Sequence, residues 1–224
     1  MGEPVVPSIG WGVLHLFCST TRRLDPESAI AAVKSCREND HQVVTASMLG
    51  HKADLAFMAL GADFRQLRRL QTGLQDAGLA VVDSYVSLTE VSEYAGGMPE
   101  EMKNMRLYPK LPPEGKPAFC FYPMSRRREV QQNWYTLPFE EREMLMREHG
   151  TSGRAFAGRV LQVITGSSGL DDFEWGVTLF AEHPDDLKAV VYQLRFDRAS
   201  AIYGDFGRFY AGMVTPVEEL LGRA

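Results

Sequence analysis

The sequence lacks any hydrophobic run long enough to cross a membrane. Apolar residues make up 45% of its 224 positions, yet no stretch approaches the ~20 consecutive apolar residues that a spanning helix needs. The first six residues, MGEPVV, lack the basic segment and following apolar run that mark a signal peptide. We therefore expect no membrane span and a cytoplasmic location.

The sequence also lacks an excess of basic charge and is poor in cysteine. Its formal net charge is -5, which argues against a nucleic-acid partner. The three cysteines, Cys18, Cys36 and Cys120, are widely spaced and odd in number, and their spacing is not that of a zinc site. This pattern predicts thiols that pack in a core, in a reducing compartment.

Apolar periodicity predicts the same order of strands and helices in both halves of the chain. In the first half it predicts strands at 11–18, 43–49, 54–60 and 79–88, with helices at 26–39 and 63–77. In the second half it predicts strands at 118–124, 159–165, 172–180 and 209–214, with helices at 138–148 and 184–194. Each half thus has the βαββαβ order of a ferredoxin-like repeat. The predicted fold is α+β, a dimeric α+β barrel formed by the two repeats of one chain, with helices outside.

Residues 89–116 interrupt this pattern with a glycine pair and several prolines. We expect an irregular connector there, with at most a short helix at 90–94. The predicted division is an N-terminal repeat at 1–88, the connector at 89–116, and a C-terminal repeat at 117–224.

The stretch FCFYPMSRRR at 119–128 begins as a buried strand and ends in three arginines. Two interpretations are open. It fits a pocket for a flat apolar ligand with carboxylates at its rim. It also fits a core strand that leads into a solvated basic loop.

Several motifs in fixed order resemble one known family. They are FYPMS at 121–125, NWYTLP at 133–138, HG at 149–150, ITGS at 164–167, LDDFEWGVTLF at 170–180 and LRFD at 194–197. Together they resemble the coproheme decarboxylases, heme-synthesis enzymes within the chlorite dismutase-like superfamily. The resemblance is dense from 106 to 212 and thinner before it.

The resemblance implies a substrate, an oxidant and an assembly. The substrate is Fe-coproporphyrin III (coproheme), whose own iron is the redox cofactor. Hydrogen peroxide converts two propionates to vinyls through a tyrosyl radical, releasing two carbon dioxides and giving heme b. The family also implies a homo-oligomer, usually a pentamer, and the coproporphyrin ferrochelatase as a possible protein partner.

The resemblance assigns the two central roles to His149 and Tyr122. His149 aligns with the axial ligand of the iron, although its position before Gly150 alone favours a helix-terminal residue. Tyr122 aligns with the catalytic tyrosine, although it also fits a core tyrosine with a satisfied hydroxyl. A neutral phenol can give up an electron and a proton together, and the resulting radical can take a hydrogen from a propionate. No carboxylate partner for His149 can be named from the sequence.

Further residues are expected to bind substrate on the same resemblance. Gln162 aligns with a distal glutamine, where chlorite-decomposing relatives carry arginine, so it argues against chlorite chemistry. The candidates for binding the propionates and the ring are Arg106, Tyr94, Arg126, Arg195, Ser200, Pro123, Met124, Ser125 and Tyr122 itself. Arginine suits carboxylates because its planar fork donates two parallel hydrogen bonds. Taken alone, however, each of Arg106, Tyr94, Arg126, Arg195 and Ser200 is more typical of a protein surface.

Two other functions stay open at this point. A heme-binding or heme-delivery protein would not need Tyr122. A chlorite dismutase-like peroxidase is disfavoured by Gln162.

Overall fold

The computed structural model describes residues 2–222. Its strands are β1 (Gly12–Ser19), β2 (Gln42–Met48), β3 (Leu55–Gly61), β4 (Ala80–Thr89), β5 (Ala118–Arg126), β6 (Arg128–Glu129), β7 (Gln132–Asn133), β8 (Val160–Gly166), β9 (Trp175–Ala181), β10 (Gly204–Phe206) and β11 (Tyr210–Val214). Its α-helices are α1 (Pro26–Glu38), α2 (Phe64–Asp76), α3 (Glu100–Leu107), α4 (Phe139–Arg154), α5 (Pro184–Leu194), α6 (Arg198–Tyr203) and α7 (Val217–Leu221), and a 3₁₀ turn lies at Trp134–Thr136.

The main sheet closes on itself as a barrel. Its strand order is β10-β5-β11-β2-β3-β1-β4-β8-β9, and β9 pairs back onto β5. The first half contributes β1, α1, β2, β3, α2 and β4, and the second half repeats this order with β5, α4, β8, β9, α5 and β11. The predicted fold class, two ferredoxin-like repeats that share one α+β barrel, is confirmed.

The two repeats meet along two short seams. At one, Leu88 and Thr89 of β4 pair with Gly166 and Thr165 of β8. At the other, β11 pairs with β2 over 212–214 and 46–48. Because both seams are antiparallel and closed, the barrel leaves no free edge between the repeats.

The barrel interior is an aromatic core drawn from both repeats. Phe121 of β5 contacts His15 and Phe17 of β1, with ring centroids 4.3 Å and 5.4 Å away. The His15 Nε2 lies 2.9 Å from the Thr178 hydroxyl of β9. Burial lowers the pKa of His15 to about 3, so this ring is a neutral member of the core.

The outer faces of the sheet are covered by helices. Over the first repeat, α1, α2 and the C-terminal α7 pack Val33, Leu70 and Leu221 onto one apolar cluster. In the second repeat, α5 packs Val190 over a cluster on the outer face of β5 and β9 that includes Tyr122. Successive side chains of a strand point to opposite faces, so β5 contributes to two separate environments.

The cysteines occupy the predicted core positions. Cys18, Cys36 and Cys120 are all buried free thiols. Burial raises the pKa of Cys120 to about 12, with a smaller opposing effect from the charge of Lys52. Such a thiol stays protonated at neutral pH and packs as a small apolar group.

The connector differs from the prediction. Residues 90–94 form no helix; the helix of this segment is α3, Glu100–Leu107. It follows Pro99 and carries Glu100 and Glu101 in its first turn, where acidic side chains favour the helix dipole. Leu107 is its buried residue, and the Leu107 carbonyl accepts a hydrogen bond from Thr89. The prediction gave weight to the prolines around α3 and overlooked this start signal.

The helix predicted at 138–148 was too short. We expected it to end at 148, yet α4 continues through Gly150 and Gly153 to Arg154. The Thr151 hydroxyl bonds to the Arg147 carbonyl inside this continuation. A glycine in a helix costs only about 1 kcal/mol, so Gly150 does not end α4. His149 therefore lies within the helix rather than at its terminus.

The C-terminal part contains elements that the pattern did not predict. The segment between α5 and β11 holds α6 and β10, and β10 pairs with the end of β5 through Gly204 and Arg126. Strand β9 begins at Trp175 instead of 172, since Glu174 leaves the ladder to donate its N–H to the Met124 carbonyl. These elements extend β5 to Arg126, beyond the predicted end at 124.

Candidate functional site

The outer face of the C-terminal sheet brings two predicted site residues together. Antiparallel register places Tyr122 beside Val177 of β9, and Val177 beside Ile164 of β8. Gln162 stands next to Ile164 on this face, because residues two apart on a strand share a face. Gln162 is half-buried, and Ile164 is exposed although it belongs to a central strand. This face thus carries a phenol, an amide and accessible apolar surface.

Tyr122 is buried among aromatic rings. Its ring stacks on Phe209 at 4.4 Å and contacts Phe206 at 5.9 Å between centroids. The guanidinium of Arg195 lies over the Phe206 ring, 4.1 Å from its centroid. Burial raises the pKa of Tyr122 above its usual range, and the nearby charge of Arg195 opposes this only in part. The phenol is therefore neutral at physiological pH.

His149 is held by a buried carboxylate. Its Nδ1 lies 3.1 Å from Oδ2 of Asp197, whose side chain is fully buried, and 3.4 Å from the Ser200 hydroxyl. Burial favours the neutral acid, but hydrogen bonds from His149 and Ser200 and the charge of His149 outweigh it and lower the pKa of Asp197. Within residues 2–222, Nε2 of His149 has no hydrogen-bond partner.

This arrangement fits an axial ligand of a porphyrin iron. A ligating histidine donates its second ring N–H to a carboxylate, which fixes the ring and increases its basicity. His149 has that second partner in Asp197 and leaves Nε2 available. The iron itself would supply redox chemistry once a porphyrin is bound.

Asp197 is the member of the His149 group that sequence reasoning missed. Its other oxygen, Oδ1, accepts the Ser200 N–H at 2.9 Å and caps α6. The sequence signal was an Asp three residues before Ser200, typical of a helix start. That signal predicts a cap but does not predict contact with a histidine 48 residues earlier.

The basic run after Tyr122 is not a solvated loop. Arg126 is 5% exposed, and its guanidinium lies 4.7 Å from the Trp134 ring centroid. One of its nitrogens donates to the Ala199 carbonyl and another contacts the Met146 sulfur. The structure therefore excludes the solvated-loop interpretation at this position and places Arg126 between α4 and α6.

The side chains of Pro123, Met124 and Ser125 alternate between the two faces of β5. Met124 is half-buried beside the Tyr122 cluster. Pro123 lines a cavity of about 190 Å³ at the barrel mouth, together with Phe121. Ser125 is buried, and its hydroxyl accepts the Glu174 N–H at 3.2 Å. By strand alternation, Pro123 and Ser125 lie on the face opposite Tyr122.

The remaining candidates lie around α4 and in the connector. Tyr94 packs on Trp134 and Phe139 beside the start of α4. Ser200 is buried and already bonded within the His149 and Asp197 group. Arg106 is exposed on α3, and partial burial of its guanidinium lowers its pKa. Within residues 2–222, neither Arg106 nor Gln162 has a hydrogen bond, ion pair or ring contact to Tyr122 or His149.

The chain belongs to the chlorite dismutase family, whose model matches residues 25–215. The chain is also 40% identical to the coproheme decarboxylase of Staphylococcus carnosus (strain TM300), over 94% of both proteins. The family resemblance inferred from the motifs is thus confirmed.

Solved structures show the same architecture. A heme-binding protein from Thermus thermophilus superposes with a TM-score of 0.88 at 35% identity, covering 100% of this chain and 99% of that protein. A chlorite dismutase variant from Candidatus Nitrospira defluvii superposes with a TM-score of 0.77 at 19% identity, over 97% and 96% of the two chains. The second likeness concerns the fold alone. No helix within residues 2–222 has the length and apolar character to span a membrane.

Proposed function

We propose that this protein is a coproheme decarboxylase. It would use hydrogen peroxide to convert two propionates of Fe-coproporphyrin III to vinyls, giving heme b. The observation that carries this proposal is a buried, neutral phenol at Tyr122 in a fold whose α4 carries a carboxylate-held histidine at position 149. The 40% identical relative is named for the same activity.

The chemistry requires an oxidation at carbon. Each propionate loses one β-hydrogen and its carboxylate carbon, and two electrons leave the side chain as its vinyl and carbon dioxide form. One hydrogen peroxide accepts those two electrons and, with protons, becomes two waters. The substrate's own iron supplies the redox centre that joins these two half-reactions.

Tyr122 would act as a one-electron relay on the substrate. A neutral phenol can release an electron and a proton together, and the tyrosyl radical can then take the β-hydrogen of a propionate. Burial keeps the phenol protonated, and Phe206 and Phe209 hold its ring. Arg195, over Phe206, places a positive charge beside the phenol that suits a substrate carboxylate.

His149 and Gln162 would define the two sides of the iron. His149 would bind through Nε2, with Asp197 orienting its ring. The amide nitrogen of Gln162 lies 3.7 Å from the position that a β-carbon on Gly153 would occupy, so the last turn of α4 closely approaches β8. A neutral amide is a poor general base, which predicts modest peroxidase activity and no chlorite chemistry.

The remaining candidates would bind the acid arms and the ring edge. We propose Arg106, Arg126 and Tyr94 for carboxylates, Met124 for ring contact, and the Pro123 and Ser125 backbone and Ser200 as supporting groups. Assembly as a homopentamer, a cytoplasmic location and contact with the coproporphyrin ferrochelatase stay predictions that rest on the family resemblance.

A second candidate function is heme binding without catalysis, since the 35% identical structure is described as a heme-binding protein. The two functions differ in what peroxide does to the bound porphyrin. Catalysis lowers its mass by two carboxyl groups and two hydrogen atoms, whereas binding alone leaves its mass unchanged.

The test compares wild type with Tyr122→Phe. Each protein is loaded with coproheme and titrated with peroxide, and the porphyrin is followed by mass spectrometry. We expect wild type to form heme b and Tyr122→Phe to bind coproheme with no vinyl product, because the ring packing survives while the oxidisable hydroxyl is lost. Tyr192→Phe is the matched control, since Tyr192 is 63% exposed on α5 and should turn over normally.

Two outcomes would contradict the proposal. Normal turnover by Tyr122→Phe would remove the radical role of the phenol. An unchanged porphyrin mass with wild type would favour the heme-binding alternative.

A further inference from the structure

The interior of the barrel has a polar side, on β1, β4 and β9. There the buried side chains include His15, Ser87 and Thr178. Strands β2 and β3 instead contribute apolar side chains such as Val44 and Met58. Polar atoms inside a protein are nearly always hydrogen-bonded, so each polar side chain in this interior requires a partner.

Two atoms on the polar side have no protein partner within residues 2–222. They are Nδ1 of His15 and the hydroxyl oxygen of Ser87. His15 is 1% exposed and Ser87 is 0% exposed, so bulk solvent does not reach either side chain. A buried polar group without a partner destabilises the fold. The two atoms therefore indicate a bound molecule that supplies their hydrogen bonds.

The two atoms belong to neighbouring strands. The antiparallel register pairs His15 with Tyr85 and Val13 with Ser87. His15 and Ser87 are therefore diagonal neighbours on the inner face, at a separation of about 7–8 Å between backbones. The two side chains do not bond to each other. One small molecule that makes two hydrogen bonds of about 2.9 Å would span such a diagonal.

The protonation of His15 determines which kind of molecule fits. Its Nε2 lies 2.9 Å from the Thr178 hydroxyl, and burial lowers its pKa to about 3. The neutral ring has one donor and one acceptor, and a hydroxyl can donate or accept, so Nδ1 takes either role. A molecule that both donates and accepts satisfies His15 and Ser87 in either tautomer. An ion would lose its hydration without an opposite charge to replace it.

The mouth of the barrel provides an approach to this position. A cavity of about 190 Å³ is lined in part by Phe17, Tyr85 and Phe121. The His15 ring lies 4.3 Å from the Phe121 ring and 6.5 Å from the Phe17 ring, between centroids. A water molecule occupies about 30 Å³ in the liquid, so the cavity has room for several. Water thus reaches the rings that surround His15.

We propose that the barrel binds one ordered water molecule that bridges Nδ1 of His15 and the hydroxyl of Ser87. Together with the bond between His15 and Thr178, this water completes a hydrogen-bonded chain from β4 through β1 to β9. The chain joins the two repeats inside the barrel, beside the short seam where β4 pairs with β8. The site is independent of the proposed function, because it requires neither porphyrin nor peroxide.

The first test counts long-lived internal waters in the ligand-free protein by magnetic relaxation dispersion of water deuterium and oxygen-17. We expect Ser87→Val to hold one water fewer than wild type, because its methyl groups fill the site and the hydroxyl is lost. Ser35→Ala is the matched control, since Ser35 is exposed on α1, and it should keep the wild-type count. A high-resolution crystal structure of wild type should show density about 2.7–3.2 Å from both atoms.

The second test is a double-mutant cycle with Ser87→Ala and His15→Phe, measured by urea unfolding. Either substitution removes the bridge, so the second should cost less in the presence of the first. We expect a coupling of about twofold to tenfold in the unfolding equilibrium constant, as for one hydrogen bond. The cycle of Ser35→Ala with His15→Phe should show no coupling.

The outcomes decide the proposal whether or not the protein decarboxylates coproheme. An equal number of internal waters in wild type and Ser87→Val would overturn it, as would density that shows direct contact between His15 and Ser87. Additive losses of stability in the cycle would also overturn it. If His15→Phe does not fold, the water count of Ser87→Val decides alone.

Discussion

Asp197 performs two tasks with its two carboxylate oxygens. Oδ2 faces Nδ1 of His149 at 3.1 Å, while Oδ1 accepts the Ser200 N–H at 2.9 Å. The same side chain thus begins α6 and orients the candidate iron ligand. Since Asp197 follows α5 by only three residues, the position of His149 depends on how α5 and α6 pack.

Substitutions at Asp197 can separate these tasks. Asparagine is a good N-cap, so Asp197→Asn should keep the cap, whereas Asp197→Ala should lose about 1 kcal/mol more of unfolding free energy in urea. Both should weaken binding of iron porphyrin by about 10- to 100-fold, the usual effect of removing the partner of a metal-bound histidine. Affinity for iron-free porphyrin is the control and should not change. Equal losses with and without iron would contradict an axial role for His149.

At the residue scale, the sequence indicates the candidate reactive groups better than their partners. The motifs identify Tyr122 and His149, because both belong to the matched segments. They do not reveal Asp197 as the partner of His149, since that pairing depends on a tertiary contact. Arg126 illustrates the same limit. Three consecutive arginines predict solvent exposure, yet Arg126 is buried with its guanidinium against the Trp134 ring.

The connector is attached to the C-terminal sheet near its first residue. The Glu90 carboxylate accepts the indole N–H of Trp175 at 3.0 Å. The Glu90 carboxylate also lies over Gly166, so a β-carbon on residue 166 would overlap it. Trp175 and Gly166 are paired across β9 and β8, on the same strands that carry the candidate site. This hydrogen bond therefore holds the start of the connector against the outer face of β8 and β9.

Releasing this attachment should increase the mobility of the connector. Glu90→Ala removes the acceptor, and Gly166→Ala displaces the carboxylate by overlap, so both should increase amide hydrogen exchange over 90–99. We expect about a threefold to tenfold increase, as for the loss of one ordinary hydrogen bond. Glu90→Gln keeps an acceptor oxygen and serves as the control. Unchanged exchange in both variants would show that other contacts hold the segment.

Element prediction succeeded where periodicity was strong and failed where local signals conflicted. The amphipathic α2 was predicted because Leu67, Leu70 and Leu74 recur at helical spacing. The buried β5 was predicted because FCFY is a continuous apolar run. The extension of α4 past Gly150 was missed because glycine is both a helix terminator and a tolerated helix residue. Packing onto α6 decides between these roles, and the sequence does not reveal that packing.

Both repeats contribute strands to one closed main sheet in the part of the chain that the structure describes. Phe119 and Phe121 of the second repeat share one apolar cluster with Val13 and Phe17 of the first. The predicted boundaries at 1–88 and 117–224 stay a proposal about sequence repeats. We expect the two repeats to unfold together, since neither can bury its inner face alone.

This expectation can be tested at Phe121, which is 1% exposed. Phe121→Ala should lower the unfolding free energy by about 3–5 kcal/mol through lost burial and a cavity. Hydrogen exchange under native conditions should show equal loss of protection in β1 and β9. Phe139→Ala is the control for the same change at a side chain 43% exposed. Loss of protection confined to β9 would indicate two independent units.

Strand β5 carries Phe121 and Tyr122 on opposite faces, and the two side chains differ by one oxygen atom. A slip of one residue in the pairing of β5 would exchange them, sending the phenol into the barrel and a phenylalanine to the substrate side. The apolar contacts of the two rings would discriminate only weakly between these arrangements. The correct alignment is instead specified by three neighbours, β9, β10 and β11, that all pair with β5. Which of the two rings faces the candidate site thus depends on the fidelity of strand pairing during folding.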